Sequence, residues 1–228
     1  MQKRVVSFFL VAGAIILVSF AGVDWTRAQH TPAALVAVPE SAPIPPDQIP
    51  QHIRDAVNAA DRPAADRSLD VGRKPEQMLA FFGIQPGIKV ADLSAGGGYT
   101  TELLSRAVGP TGTVYSQNPP FPPEFQQIGQ AWTERLKNPV LKNVIAVNKS
   151  FGADDLLPVP PGSLDIVIMN MNYHDLVLRG IDRDKVNASV YKALKSGGVY
   201  AIVDHSAKDG SGAKDIELHR IDENFLAL

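Results

Sequence analysis

The chain has 228 residues, of which 45% are hydrophobic, and its 22 Lys and Arg residues nearly balance its 24 Asp and Glu residues. This composition indicates one globular domain with a full core, and the lack of a basic excess argues against a nucleic-acid partner. Because the sequence has no cysteine, disulfides, thiolate metal sites and a lipid-modified N-terminal cysteine are all excluded.

The N-terminus has the pattern of a targeting segment. Lys3 and Arg4 precede an uncharged run of 19 residues, Val5–Val23, and small residues that suit a signal peptidase follow it. We predict a secretion signal cut after Ala21 or Ala28, although the run also reaches the length of about 18 residues at which an uncleaved membrane anchor forms. Residues 1–28 are therefore assigned as signal peptide or membrane anchor. The predicted location is outside the cytoplasm, periplasmic or extracellular, with membrane contact only through this segment.

A proline-rich stretch separates this segment from the compact part of the chain. Six prolines lie between Pro32 and Pro50, which predicts an extended linker over residues 29–50. Residues 51–228 are then one domain.

Within that domain, helical and strand patterns alternate. Apolar residues at helical spacing predict helices over residues 52–60, from Pro75, after Gly98, around Trp132 and from about Asp182. Short apolar runs predict five strands, over residues 88–93, 112–117, 143–148, 164–169 and 199–204. Alternating strands and helices joined by short turns predict a Rossmann-like, doubly wound parallel sheet with helices on both faces.

The first strand runs into the helix that follows it through a glycine-rich loop, Asp92-Leu93-Ser94-Ala95-Gly96-Gly97-Gly98. Glycines let a ligand lie against bare backbone, and the positive end of the following helix favours an anionic or nucleotide-like group. In sheets of this kind ligands bind at the carboxyl ends of the strands. The other predicted strand ends also carry polar residues: Asn118, Asp154 or Asp155, His174 with Asp175, and Asp204 with His205.

Residues Val90 to His205 resemble the class I S-adenosylmethionine-dependent methyltransferases, and more specifically a predicted exported group among them. The resemblance implies S-adenosylmethionine as the cofactor, with its methionine part held by the acidic residue and the glycine loop. It assigns these contacts to Asp92, Ser94, Gly96 and Gly98, the ribose to Asn118 and the adenine to Asp154.

Two of these positions depart from the family pattern. Ser94 replaces the first glycine of the loop, which a serine tolerates if its φ is negative. Asn118 replaces the usual carboxylate, so we expect Asn118→Asp to tighten cofactor binding by about 1 kcal/mol.

Four residues at the ends of the fourth and fifth strands form a predicted catalytic cluster: His174, Asp175, Asp204 and His205. A histidine beside a carboxylate can remove a proton from a nucleophile near neutral pH. His219 and Asp222, at a spacing of three on a predicted last helix, could join the cluster as metal ligands. We assign no metal ligand from the sequence.

The chain ends at Leu228, where the resembled family continues with a helix and an antiparallel pair of strands. We therefore expect this pair to be missing and the fifth strand to have a free edge, which favours self-association.

The function expected from the sequence is methyl transfer from S-adenosylmethionine to a small molecule or an exported substrate. Two alternatives remain open at this point. One is a ligand-binding protein that keeps the fold without the transfer, and the other is a metal-assisted hydrolase that uses the His and Asp cluster.

Overall fold

The computed structural model of the protein describes residues 4–11, 14–20 and 44–226. The predicted signal-peptidase sites after Ala21 and Ala28 lie outside the described residues, as does the linker over residues 29–43. Among the described residues, no helix combines the length and apolarity needed to cross a membrane.

The described residues form seven strands and eight α-helices in this order: β1 Arg4–Val11, β2 Ala14–Phe20, α1 Gln51–Val57, α2 Ala64–Arg73, α3 Pro75–Phe81, β3 Lys89–Leu93, α4 Tyr99–Val108, β4 Thr113–Asn118, α5 Gln126–Arg135, β5 Val144–Asn148, β6 Leu164–Asn170, α6 Tyr173–Leu178, α7 Arg183–Ala193, β7 Leu194–His205 and α8 Glu223–Leu226.

All seven strands belong to one sheet, in the order β2-β1-β7-β6-β3-β4-β5. The five strands from β3 to β7 are parallel to one another, which confirms the predicted five-stranded parallel sheet. Since β3 lies between β4 and β6, the chain order reverses beside it. Sheets of this type bind ligands at such a reversal point.

Helices cover both faces of this sheet, as predicted. Alternate residues of the central strands enter two separate cores: Val90 and Ile168 pack with α1, α3 and α4, whereas Ala91 and Met169 pack with α6 and α7. This arrangement buries the middle strands on both sides and explains why their sequences are almost continuously apolar.

Some boundaries and elements differ from the sequence prediction. The fifth predicted strand begins at Leu194 rather than at residue 199. The end of the predicted linker packs on the domain, because Ile49 is buried in the first core and Gln77 Nε2 donates to the carbonyl of Ile44. Helix α2 was not predicted, since its apolar residues Leu69 and Val71 are exposed and its buried residue is Asp66, which forms an ion pair with Arg135.

The outer edge of β7 is paired in the full chain. Strand β1 runs parallel to it, from Arg4 opposite Val199 to Leu10 opposite His205, and β2 continues the sheet antiparallel to β1. The expectation of a free edge is therefore wrong for a chain that keeps its first residues. It still applies to a chain from which a signal peptidase has removed them.

We propose that a chain beginning at Gln29 associates with itself through the free edge of β7, whereas the full chain does not. Unpaired backbone donors and acceptors on an apolar strand promote pairing with a second chain. Sedimentation velocity of both chains at matched concentrations measures this. A monomeric shortened chain with unchanged thermal stability would contradict it.

Candidate functional site

The glycine loop between β3 and α4 contains three left-handed residues. The φ angles of Ser94, Gly96 and Gly98 are 55°, 56° and 87°. The negative φ that would make a serine unstrained at position 94 is therefore not observed. A left-handed serine carries some backbone strain, and two hydrogen bonds hold it: its N–H donates to Gln117 Oε1 at 3.0 Å, and its carbonyl accepts from Asn172 Nδ2 at 3.3 Å.

The glycines of this loop have different surroundings. A Cβ atom added at Gly96 or Gly97 would meet no atom within 4 Å, so the backbone there faces open space. A Cβ atom added at Gly98 would overlap the ring of Trp132 on α5. Gly96 and Gly97 thus leave room for a ligand, whereas Gly98 lets α5 pack against the start of α4.

The side chain of Asn118 forms hydrogen bonds with the backbone of the glycine loop. Its Oδ1 accepts from Gly96 N at 2.7 Å, and its Nδ2 donates to Gly96 O at 3.1 Å. Asn118 is 1% exposed. Both functional atoms of the amide are therefore occupied by the loop, and the structure gives this residue a positioning role that the sequence did not indicate.

This geometry reverses the expected effect of Asn118→Asp. A carboxylate cannot donate to the Gly96 carbonyl, and it would place a buried negative charge beside that oxygen. We expect the variant to lose about 1–3 kcal/mol of stability and to bind cofactor more weakly. Urea denaturation measures the free energy of unfolding, and calorimetry measures the cofactor affinity. The exposed Asn148→Asp at the end of β5 is the matched control, and tighter binding in Asn118→Asp would contradict the positioning role.

Asp92 is the second-last residue of β3 and is 1% exposed. Thr101 Oγ1 on α4 donates to its Oδ2 at 2.6 Å. Burial disfavours the charged carboxylate and raises the pKa of Asp92 to about 7, although the Thr101 hydrogen bond opposes the shift. Asp92 thus ties α4 to β3 and is partly protonated near neutral pH in the protein without ligand.

Asp92 should make the protein less stable as the pH rises. Its pKa in the folded state, about 7, exceeds the ordinary value of 3.8, so the folded form holds the proton more tightly. Stability is then greatest below about pH 4, falls up to about pH 7 by about 4 kcal/mol, and levels off above it. Asp92→Asn should flatten this slope in denaturation curves between pH 4 and 8. Asp154→Asn, which alters an exposed carboxylate, should leave the slope of stability against pH unchanged. An unchanged slope in Asp92→Asn would refute the assignment of this pH dependence to Asp92.

Asp154 lies in the segment between β5 and β6. Its carboxylate is almost fully exposed and forms an ion pair of 2.8 Å with Lys185 on α7, which lowers the pKa of Asp154. The adenine contact assigned to it from the resemblance finds no support in this geometry. The sequence could not show this, because residues 149–163 form no helix that would fix the carboxylate's direction.

Sequence reasoning missed a buried ionic network beside the loop. Arg135 on α5 binds Asp66 on α2 through two hydrogen bonds and Glu102 on α4 through one. Asp70 on α2 binds Arg62 and accepts from the hydroxyl of Tyr99, the first residue of α4. These contacts fix α2 across the start of α4. No spacing pattern could reveal them, because they join segments that are distant in the chain.

The second part of the site is a cluster of His and Asp side chains at the carboxyl ends of β6 and β7. His174 on α6 is buried, and its Nδ1 donates to Asp204 Oδ1 at 2.6 Å. The other carboxylate oxygen of Asp204 accepts from the backbone N–H of His174 at 2.8 Å, and Oδ1 also accepts from His205 N. The structure therefore brings together the four residues that were predicted as catalytic.

The two histidines of that set have opposite pKa shifts. Burial opposes the charged form of His174, but the hydrogen bond to Asp204 and the attraction of Asp204 and Asp175 outweigh it and raise its pKa. Burial lowers the pKa of His205, because the weaker attraction of Asp204 does not compensate. His205 is thus the neutral member near pH 7, and His174 is the more basic one.

His219 joins the cluster, whereas Asp222 does not. His219 Nδ1 lies 2.9 Å from His174 Nε2. Asp222 accepts hydrogen bonds from the backbones of Gly212 and Asn224. The predicted helix containing both residues was wrong, because His219 has a φ of 55° and α8 begins only at Glu223.

The loop and the cluster lie on the same edge of the sheet. They are joined by Asn170, the last residue of β6, and by Asn172, which directly precedes α6. Asn170 Nδ2 donates to Thr100 Oγ1 on α4 at 2.9 Å, and Asn172 Nδ2 donates to the carbonyl of Ser94. α6, which carries His174, begins at the next residue. An open groove of about 540 Å³ also starts beyond Asn118, between α5 and the end of β5, and Trp132 lines it.

Comparisons with known proteins agree with this geometry. The chain is 32% identical over 124 residues to the ubiquinone/menaquinone biosynthesis C-methyltransferase UbiE of Pasteurella multocida, a match that covers 54% of this chain and 42% of that protein. It is 30% identical over 125 residues to UbiE of Escherichia coli O1:K1, with 54% and 45% covered. The chain thus matches less than half the length of these relatives. No family model matches it.

Among solved structures, a SAM-dependent methyltransferase from Aquifex aeolicus matches with a TM-score of 0.52 and 24% identity, over 68% of this chain and 75% of that one. This match shows the fold. The comparisons confirm the resemblance to class I S-adenosylmethionine-dependent methyltransferases.

Proposed function

We propose that this protein transfers a methyl group from S-adenosylmethionine to a nucleophile bound beside the His and Asp cluster. The observation that carries the proposal is the open glycine loop at the reversal point of the sheet, with that cluster on the same edge. The backbone of Gly96 and Gly97 faces space in which a Cβ atom would meet nothing, and this is the form expected of a cofactor cradle.

The residues divide between two tasks. The loop, held by Asn118 and Gln117, would receive the cofactor, whose sulfonium makes its methyl group electrophilic. The cluster around His174 would receive the acceptor and either take its proton or hydrogen-bond to it, since imidazole and carboxylate groups can do both. Most of the rate enhancement then comes from aligning the nucleophile with the methyl group.

Calorimetry with S-adenosylmethionine and S-adenosylhomocysteine tests the cofactor, and methyl-labelled cofactor incubated with cell-envelope extract tests the transfer. We expect binding of both compounds and label in a product. Binding without transfer to any component would favour a non-catalytic binder, and no binding would remove the proposal.

We further propose that the protein is exported and acts on a small molecule or an exported substrate. The support is the basic pair Lys3 and Arg4 ahead of an uncharged run. N-terminal sequencing of protein from fractionated cells should give Gly22 or Gln29 as the first residue, in the fraction outside the cytoplasm. Cytoplasmic protein with an intact N-terminus would contradict export.

A further inference from the structure

We propose that His174, Asp175 and His219 bind a divalent transition-metal ion, with zinc as the best match to their chemistry. One donor atom from each residue lies within 4.8 Å of the donors of the other two. They come from α6 and from the segment before α8, so only the folded chain brings them together.

The donor separations suit a single ion. His174 Nε2 and His219 Nδ1 are 2.9 Å apart, and Asp175 Oδ1 lies 3.7 Å and 3.8 Å from these two nitrogens. Ligands placed about 2.0 Å from a tetrahedral zinc ion are about 3.3 Å from one another. The observed separations lie on both sides of that value, so small side-chain rotations would bring all three donors to bonding distance.

The surroundings of His174 select the atom that would bind the metal. Asp204, which is fully buried, accepts the Nδ1–H of His174 at 2.6 Å. A neutral imidazole that donates from Nδ1 carries its free lone pair on Nε2, the atom that faces His219. A carboxylate behind a ligating histidine is the usual support for zinc, since it orients the ring and strengthens the ligand.

Two nitrogens and one carboxylate oxygen form the kind of ligand set that holds catalytic zinc with one open position. His219 is mostly exposed, which leaves a path from solvent to that position. Resting on the proposed function, we assign the open position to the methyl acceptor, because a bound metal ion lowers the pKa of a coordinated hydroxyl group or water. Metal binding itself does not depend on methyl transfer.

The test uses the full chain, stripped with EDTA and titrated with Zn²⁺ against a chromophoric chelator. We expect one ion per chain and a rise in the thermal midpoint with Zn²⁺. His219→Ala should weaken the affinity at least 100-fold, and because this side chain is exposed its removal should leave the fold intact. Asp204→Asn, which removes the carboxylate behind His174, should weaken it about 10–100-fold.

His205→Gln is the matched control, since it removes the neighbouring histidine that is absent from the proposed ligand set, and its affinity should equal that of the unaltered chain. Zn²⁺ binding that is unchanged in His219→Ala, or no binding above one ion per ten chains, would overturn the proposal. An equal loss in His205→Gln would overturn the ligand set. Because the readout is metal affinity, a chain that fails to bind Zn²⁺ but still binds S-adenosylmethionine would refute this site and leave the proposed function standing.

Discussion

Gly96→Val should reduce S-adenosylmethionine affinity at least 100-fold while the chain stays folded. Gly96 has a φ of 56°, and a side chain there would extend into the space over the loop. The same change strains the backbone by about 1–2 kcal/mol, since a β-branched residue avoids the left-handed region. Calorimetry measures the affinity, and circular dichroism with a thermal scan measures the fold.

Gly98→Ala is the matched control for this prediction. It adds a Cβ atom two residues further along, where it meets Trp132 rather than open space. We expect a large fall in the thermal midpoint for Gly98→Ala and a small one for Gly96→Val. Unchanged cofactor affinity in a folded Gly96→Val protein would show that the glycine loop is not part of the cofactor site.

His174→Asn should lower the rate of methyl transfer at least 100-fold and leave cofactor affinity within about twofold. The asparagine amide can still donate to Asp204 from the position of Nδ1, so the buried carboxylate keeps a partner. The variant lacks only the atom at the position of Nε2, which faces His219 and Asp175. A loss of this size corresponds to about 2.7 kcal/mol of transition-state stabilisation.

His52→Gln is the control for removing a histidine elsewhere, since His52 lies on α1 and its ring hydrogen-bonds to the Ile84 carbonyl. Transfer in that variant should be unchanged. If His174→Asn retains full kcat with a raised KM for the acceptor, His174 positions the acceptor without activating it. Full activity with unchanged KM would exclude the cluster from the reaction.

The sequence by itself determined the parallel sheet, the glycine loop and the grouping of polar residues along one edge. Strands such as Leu164–Asn170, buried on both faces, must be apolar throughout, and the loop after Asp92 needs residues that tolerate a positive φ. Local backbone conformation and burial restrict the residue types at these positions, so these features can be recognised in short stretches of sequence. The proximity of His174 and Asp204 was predictable because the carboxyl ends of parallel strands lie along the same edge of a sheet.

Only the tertiary structure decided what each polar side chain contacts. Asn118 closes the loop on Gly96, Asp154 pairs with Lys185, and His219 rather than Asp222 reaches His174. These partners lie 22, 31 and 45 residues apart in the chain. A side chain's direction depends on rotamers and on the packing of distant elements, and neither follows from spacing along one segment.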